Sequence, residues 1–205
     1  MNNIKIFDND LPSDIDLTNE KVIGLDCEAL GLVIGRDPLT LMQLGLESKK
    51  YYLIKLNRKT YSAPNLIKVL SNPNTQFIMH YARQDLLWIK YHLKIEVKNI
   101  FCTKLCSKIA RTAANAHGYK DLVKELCGKD ISKKEQQSDW GDPNLSEKQI
   151  SYAAQDTEFL FEIKNKLMKM LIREKRIELF EKCMKVLPVL VDMEIAGYKL
   201  STLEH

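Results

Sequence analysis

Three short apolar runs, VIGLDCEA (22–29), TLMQLGLE (40–47) and YYLIKL (51–56), follow one another across connections too brief for a helical crossover. Strands joined this way run antiparallel, so this part of the chain reads as a meander. PNLIKVL (64–70) then reads as a helix with Pro in its first turn, and FIMH (77–80) as a strand. RQDLLWIKYHL (83–93) reads as an amphipathic helix and NIFCT (99–103) as a further strand. This strand-helix-strand-helix-strand series returns the chain in parallel to the edge of the first sheet. The expected fold class is α/β, a mixed central sheet flanked by helices.

The second half changes character. TKLCSKIART, YKDLVKELCG and SEKQISYAAQDTEFLFEIKNKLMKMLIREK carry apolar residues at intervals of three and four, so this half is expected to be mainly helical. Ser146, with Glu147 and then Gln149 three residues on, marks the N-cap of one long helix. Before it, DISKKEQQSDWGDPN (130–144) is polar and broken by Gly and Pro, and reads as a surface loop of the kind that carries function. With no internal repeat or low-complexity segment, the expectation is a single domain over 1–202. The trailing Leu203-Glu204-His205 (203–205) reads as an expression-tag remnant.

Composition narrows the function classes. With 45% hydrophobic and 28% charged residues, 8 Gly and 6 Pro, the chain is neither disordered nor collagenous. Each apolar stretch meets a charge well before the roughly 18 residues a bilayer crossing needs, and MNNIKIFDND has no signal-peptide pattern. No membrane association and a cytoplasmic location are expected. Cys27, Cys102, Cys106, Cys127 and Cys183 form no CxxC pair, so they read as reduced, mostly buried thiols. The net charge of +4 suits a partner that carries phosphates, but it also describes many unrelated enzymes.

Three acidic features stand out. Asp26 and Glu28 lie two apart in an apolar strand, so both carboxylates point to one face. Like charges there repel and lose hydration; either a cation offsets both costs, or the strand has a wet polar face. Asp85 follows His80 by five residues, at the start of a helix after a strand end. It is either a cap favoured by the helix dipole or a ligand at the strand end where α/β sites gather. Tyr152 and Asp156, four apart on one helical face with Ala153, Ala154 and Gln155 between, suit close approach to a sheet, although a solvated face is the alternative.

Taken in order, Asp-x-Glu on an early strand, an Asp after a His-bearing strand end and a late Tyr-x-x-x-Asp on a helix match the signature of the exonucleases named for their four acids, in the subgroup with tyrosine. The segments VIGLDCEALGL, FIMHYARQDLLWI, HGYKDLVKELCG and KKEQQSDWGDPNLSEKQISYAAQDTEFL together resemble ribonuclease D, particularly the compact single-domain form of alphaproteobacteria. The resemblance spans residues 20 to about 198. It implies a ribonuclease H-like fold and a metal-dependent 3′ to 5′ exoribonuclease that releases nucleoside 5′-monophosphates from single-stranded RNA, tRNA-precursor 3′ trailers among the substrates. Many relatives place Asn after the motif histidine, where this chain has Tyr81. EKCMKVLPVLVDMEIAGYKL resembles the segment that joins the proofreading exonuclease to the polymerase in family A DNA polymerases, so a DNA 3′ exonuclease stands as the alternative. A nucleic-acid-binding module without activity would be expected to lack an acid or the tyrosine, and all five positions are occupied.

The resemblance also implies roles. Asp26 bridges two divalent cations, Glu28 and Asp156 complete one site, and Asp85 serves the second through water. An oxygen-only donor set suits Mg²⁺ or Mn²⁺ rather than zinc. Two such ions, about 4 Å apart, stabilise an in-line displacement at phosphorus. Tyr152, one turn from Asp156, is placed to orient the attacking water. His80 and Gln43 at strand ends, Lys120 at a helix start, and Gln137, Ser138 and Trp140 in the polar loop are candidate substrate contacts, with Trp140 able to stack a base or to anchor the core. Protein partners are not readable.

Overall fold

The computed structural model describes residues 3–132 and 134–203. In chain order the strands are β1 (Ile4–Asp8), β2 (Val22–Ala29), β3 (Leu39–Gly45), β4 (Tyr51–Lys55), β5 (Gln76–Met79) and β6 (Ile100–Cys102). The helices are α1 (Pro64–Leu70), α2 (Ala82–Leu93), α3 (Thr103–Ala110), α4 (Tyr119–Leu122), α5 (Glu147–Glu158), α6 (Leu160–Arg173) and α7 (Ile177–Ile195). A π-helical turn, Val123–Cys127, extends α4.

The strands form one sheet in the order β1-β4-β3-β2-β5-β6. The meander β2-β3-β4 is antiparallel, while β5 pairs in parallel with β2 and β6 with β5, as the connection lengths require. Periodicity passed over β1. It is a largely exposed edge strand, IKIFD, parallel to β4, and its Lys5 blunts the edge. Just beyond it Asp10 accepts the backbone N–H groups of Asn65 (2.9 Å) and Leu66 (2.8 Å), capping α1, whose own N-cap Ala63 has no side-chain oxygen to offer.

Alternation along the strands divides the sheet into two unlike faces. Ile23, Leu25, Met42, Leu44, Ile54 and Phe77 form an apolar face under α1, α2 and α7. α7 is fastened to α2 by the ion pairs Arg83–Glu194 and Lys90–Asp192. The opposite face carries Gly24, Asp26 and Glu28 of β2 beside Gly45, Gln43 and Leu41 of β3. There α5 lies across β2, β3 and β4, and α6 lies against β5 and α3.

The expected long helix is interrupted at Phe159, giving α5 and α6. Its start is as expected: Ser146 Oγ accepts the Gln149 N–H (3.2 Å) while Gln149 Oε1 accepts the Ser146 N–H (3.0 Å). The cysteines are all unpaired; Cys102 and Cys106 are buried, and Cys27, Cys127 and Cys183 are half-buried. Among the described residues no helix is long and apolar enough to cross a membrane. Of the expected tag remnant, Glu204 and His205 lie outside the described residues, and Leu203 ends a 3-10 turn.

Candidate active site

Two glycines let α5 reach the sheet. A Cβ on Gly45 would sit 2.4 Å from Thr157 Oγ1, and one on Gly24 would sit 3.3 Å from the Thr157 carbonyl oxygen. Only hydrogen at both positions lets α5 lie this close, which brings Asp156 over β2. Carboxylate oxygens of Asp26, Glu28 and Asp156 then lie within 4.8 Å of one another. Asp85 joins from the first turn of α2, buried and beside the Cys27 thiol, which donates to it.

These four acids share one electrostatic problem. Burial raises the carboxyl pKa of Asp26 to about 7. Burial, and then the charges of Asp26, Asp156 and Asp85, raise that of Glu28 to about 10. Asp85 and Asp156 are pushed well above the usual carboxylate range by burial and next by Asp26. The Tyr152 hydroxyl donates to Asp156; burial and the neighbouring carboxylates hold its pKa above the ordinary tyrosine value, so the phenol stays protonated at neutral pH.

The cluster lies at one side of an open cavity of about 1110 Å³. Besides the four acids and Tyr152, its walls include His80, Lys120, Gln137, Ser138 and an edge of Trp140. His80 Nδ1 lies 2.9 Å from Thr103 Oγ1, and its ring is 5.6 Å from that of Tyr119. Lys120 pairs with Asp130 at 3.3 Å, and Ser138 Oγ donates to the Glu135 carbonyl.

Two of the candidate substrate contacts are placed differently from the rest. Trp140 is only 4% exposed and packs with Leu41, Leu53 and Ala153, its ring 5.9 Å from that of Tyr152. It is a core anchor for the 130–144 segment, whose far end is tied down by Lys55 to the Pro143 carbonyl and by Gln149 to the Asp139 carbonyl, both at 2.9 Å. Gln43 is fully buried and is not among the residues that line the cavity. It stands directly across from Asp26 in the β2–β3 pair, and both its amide atoms lack a hydrogen-bond partner among the described residues.

Two tyrosines hold places that the sequence did not assign them. Tyr81 takes the left-handed conformation, φ 64°, at the junction of β5 and α2. Asn tolerates that region better than most residues, and a tyrosine there is uncommon. Here the ring is held between cations, with Lys104 Nζ 4.0 Å from its centroid and Arg83 donating to its hydroxyl at 2.7 Å. Tyr119, read only as part of a helix start, hydrogen-bonds to the α5–α6 junction, and no periodicity could announce that long-range contact.

The donor set and the orphaned Gln43 amide beside it both fit a divalent cation. Three convergent carboxylates offer oxygen ligands only, and a cation there would offset the burial, and then the mutual repulsion, that raise their pKa values. The profile of the 3′-5′ exonuclease family matches residues 5–172. The chain belongs to that family. Ribonuclease D of Gluconacetobacter diazotrophicus is 32% identical over 165 residues, 79% of this chain and 41% of the relative; the chain spans under half the length of the curated relatives it matches. Among solved structures, Brucella melitensis NrnC is similar at 34% identity and TM-score 0.91, over 96% of this chain and 95% of that one. Structures of the same nuclease with bound Mg²⁺ and bound to pGG align with TM-scores of 0.92 and 0.93. Escherichia coli RNase D shares the fold, with TM-score 0.70 at 22% identity over 83% of this chain and 45% of that one. The ribonuclease H-like fold and the ribonuclease D resemblance expected from the sequence are both borne out.

Proposed function

We propose that the protein is a metal-dependent 3′ to 5′ exoribonuclease that removes nucleoside 5′-monophosphates from the 3′ ends of short single-stranded RNA. The observation that carries this reading is the convergence of Asp26, Glu28 and Asp156 in one cluster, with the Tyr152 hydroxyl donating to Asp156, in an open cavity. Asp26, Glu28 and Asp156 would hold one Mg²⁺ or Mn²⁺, and Asp85 would serve a second. Such ions supply neutralisation of the phosphoryl oxygens and activation of the attacking water.

The protein's own side chains do the rest. Tyr152, protonated at neutral pH, cannot serve as the base; it orients the water through its hydroxyl while fixing the Asp156 carboxylate. His80, Lys120, Gln137 and Ser138 on the cavity walls position the terminal phosphates and sugars. A cavity this size takes a two-nucleotide end, and the binding of pGG by a relative similar over nearly its whole length favours very short RNA, with tRNA-precursor trailers as longer substrates. A cytoplasmic setting suits five unpaired thiols.

The test is a gel time course on matched 5′-labelled single-stranded RNA and DNA, from two nucleotides upward, with Mg²⁺, Mn²⁺ or EDTA. The expected result is stepwise 3′ shortening of RNA that EDTA and Asp26→Ala both abolish. Faster trimming of DNA would move the substrate assignment to DNA, and no metal-dependent shortening of either would overturn the enzymatic reading. Tyr152→Phe should lower the rate by about 10²-fold while Mn²⁺ affinity, followed by calorimetry, stays within a small factor.

A further inference from the structure

The cause of the break between α5 and α6 lies outside both helices. In an unbroken helix the Phe159 N–H would bond to the Gln155 carbonyl four residues back. Here the hydroxyl of Tyr119, from a segment some 36 residues earlier, stands at that step: it donates to the Gln155 carbonyl at 2.8 Å and accepts the Phe159 N–H at 3.2 Å. A side chain inserted into the ladder is one of the recognised causes of a helix bend. Asp156 is the residue that follows Gln155, so the carbonyl held by Tyr119 adjoins the carboxylate that completes the acid cluster.

The break separates two packing partners: α5 lies across β2, β3 and β4, whereas α6 lies against β5 and α3. α6 is fixed by its buried Leu160, Ile163, Leu167 and Leu171. α5 is fixed by the contact of Thr157 with Gly24 and Gly45. Between these anchors the Tyr119 hydroxyl sets the direction in which α5 leaves α6. Tyr119 is half-buried, its ring 5.6 Å from that of His80.

We propose that Tyr119 is a positioning residue: its hydroxyl, wedged between Gln155 and Phe159, sets where Asp156 stands and thereby how well the acid cluster holds its cation. The consequence for catalysis rests on the exonuclease reading; the consequence for metal binding does not. A merely structural tyrosine would behave differently. The carbonyl and N–H that Tyr119 joins are natural partners of each other, so removing the hydroxyl lets the ladder close rather than leaving two buried groups unpaired. The chain stays folded and Asp156 moves.

The experiment compares wild type, Tyr119→Phe and, as the reference for full loss, Asp156→Asn. It reads thermal melting without metal, Mn²⁺ affinity by calorimetry, the amide signal of Phe159 by NMR, and kcat and KM on a short RNA. For Tyr119→Phe the expected results are an unchanged melting temperature, a shifted Phe159 amide signal, Mn²⁺ affinity about tenfold weaker, and kcat about tenfold lower with KM within about twofold. Wild-type Mn²⁺ affinity in the variant would overturn the proposal. So would a melting temperature that falls together with a loss of folded protein large enough to explain the weaker binding. A wild type that binds Mn²⁺ and trims no RNA would sink the exonuclease reading alone, because the affinity and amide measurements stand without turnover.

Discussion

The two faces of β2 are built from alternate residues of one strand, yet they do opposite work. Ile23 and Leu25 are wholly buried among aliphatic and aromatic neighbours under α1, α2 and α7. Gly24, Asp26 and Glu28 face α5, where one position is pared to hydrogen and two carry carboxyls whose ionisation burial makes costly. One face stabilises the fold, and the other spends part of that stability to hold carboxylates where water cannot fully solvate them. A site of this kind needs the opposite face to be well packed.

The contrast is open to tests of decreasing size. Asp26→Asn should reduce 3′ trimming by on the order of 10³-fold, since it removes the carboxylate that adjoins every other acid, and should raise the metal-free melting temperature. Gel assays with differential scanning fluorimetry check both signs, and a fall in melting temperature would break the argument that this face is destabilising.

On the other face Leu25→Ala should cost about 2–5 kcal/mol of stability, measured by urea unfolding, because the side chain is fully buried in a contiguous core. Mn²⁺ affinity of the folded fraction should not change. Gly45→Ala crosses between the faces: it should cost about 1–3 kcal/mol and weaken Mn²⁺ binding as well, because the new methyl meets Thr157 and lifts α5.

The smallest effect is the pH dependence. Carboxyls with raised folded-state pKa values favour the folded protein most when protonated, below about pH 4. The stability they contribute is lost as pH rises through about 7 for Asp26 and about 10 for Glu28. Without metal the melting temperature should therefore carry a downward contribution from pH 5 to 8 that Glu28→Gln reduces. Saturating Mn²⁺ should flatten that contribution and release protons on binding, both readable by calorimetry in two buffers of different ionisation heat.

Much of this was legible in the chain itself. Period-two runs with short connections gave the meander, and a strand-helix alternation gave the parallel extension, because both are local consequences of side-chain spacing. Asp26, Glu28, Asp85, Tyr152 and Asp156 were readable because charges on otherwise apolar elements stand out, and their order along the chain matches a known signature. Edge strand β1 was not, since a short, exposed, charged segment has no period to read.

What only the tertiary structure decided is distance and burial between residues far apart in sequence. A strand position says which way Gln43 points but not that α5 covers it, and a loop composition does not reveal that Trp140 turns inward onto Leu41 and Leu53. The amphipathic period runs through Phe159 without a pause, yet the helix breaks there because a hydroxyl some 40 residues earlier takes its N–H. Periodicity records which face of an element is apolar; which other element comes to cover that face, and whose polar group arrives with it, is fixed only when the whole chain packs.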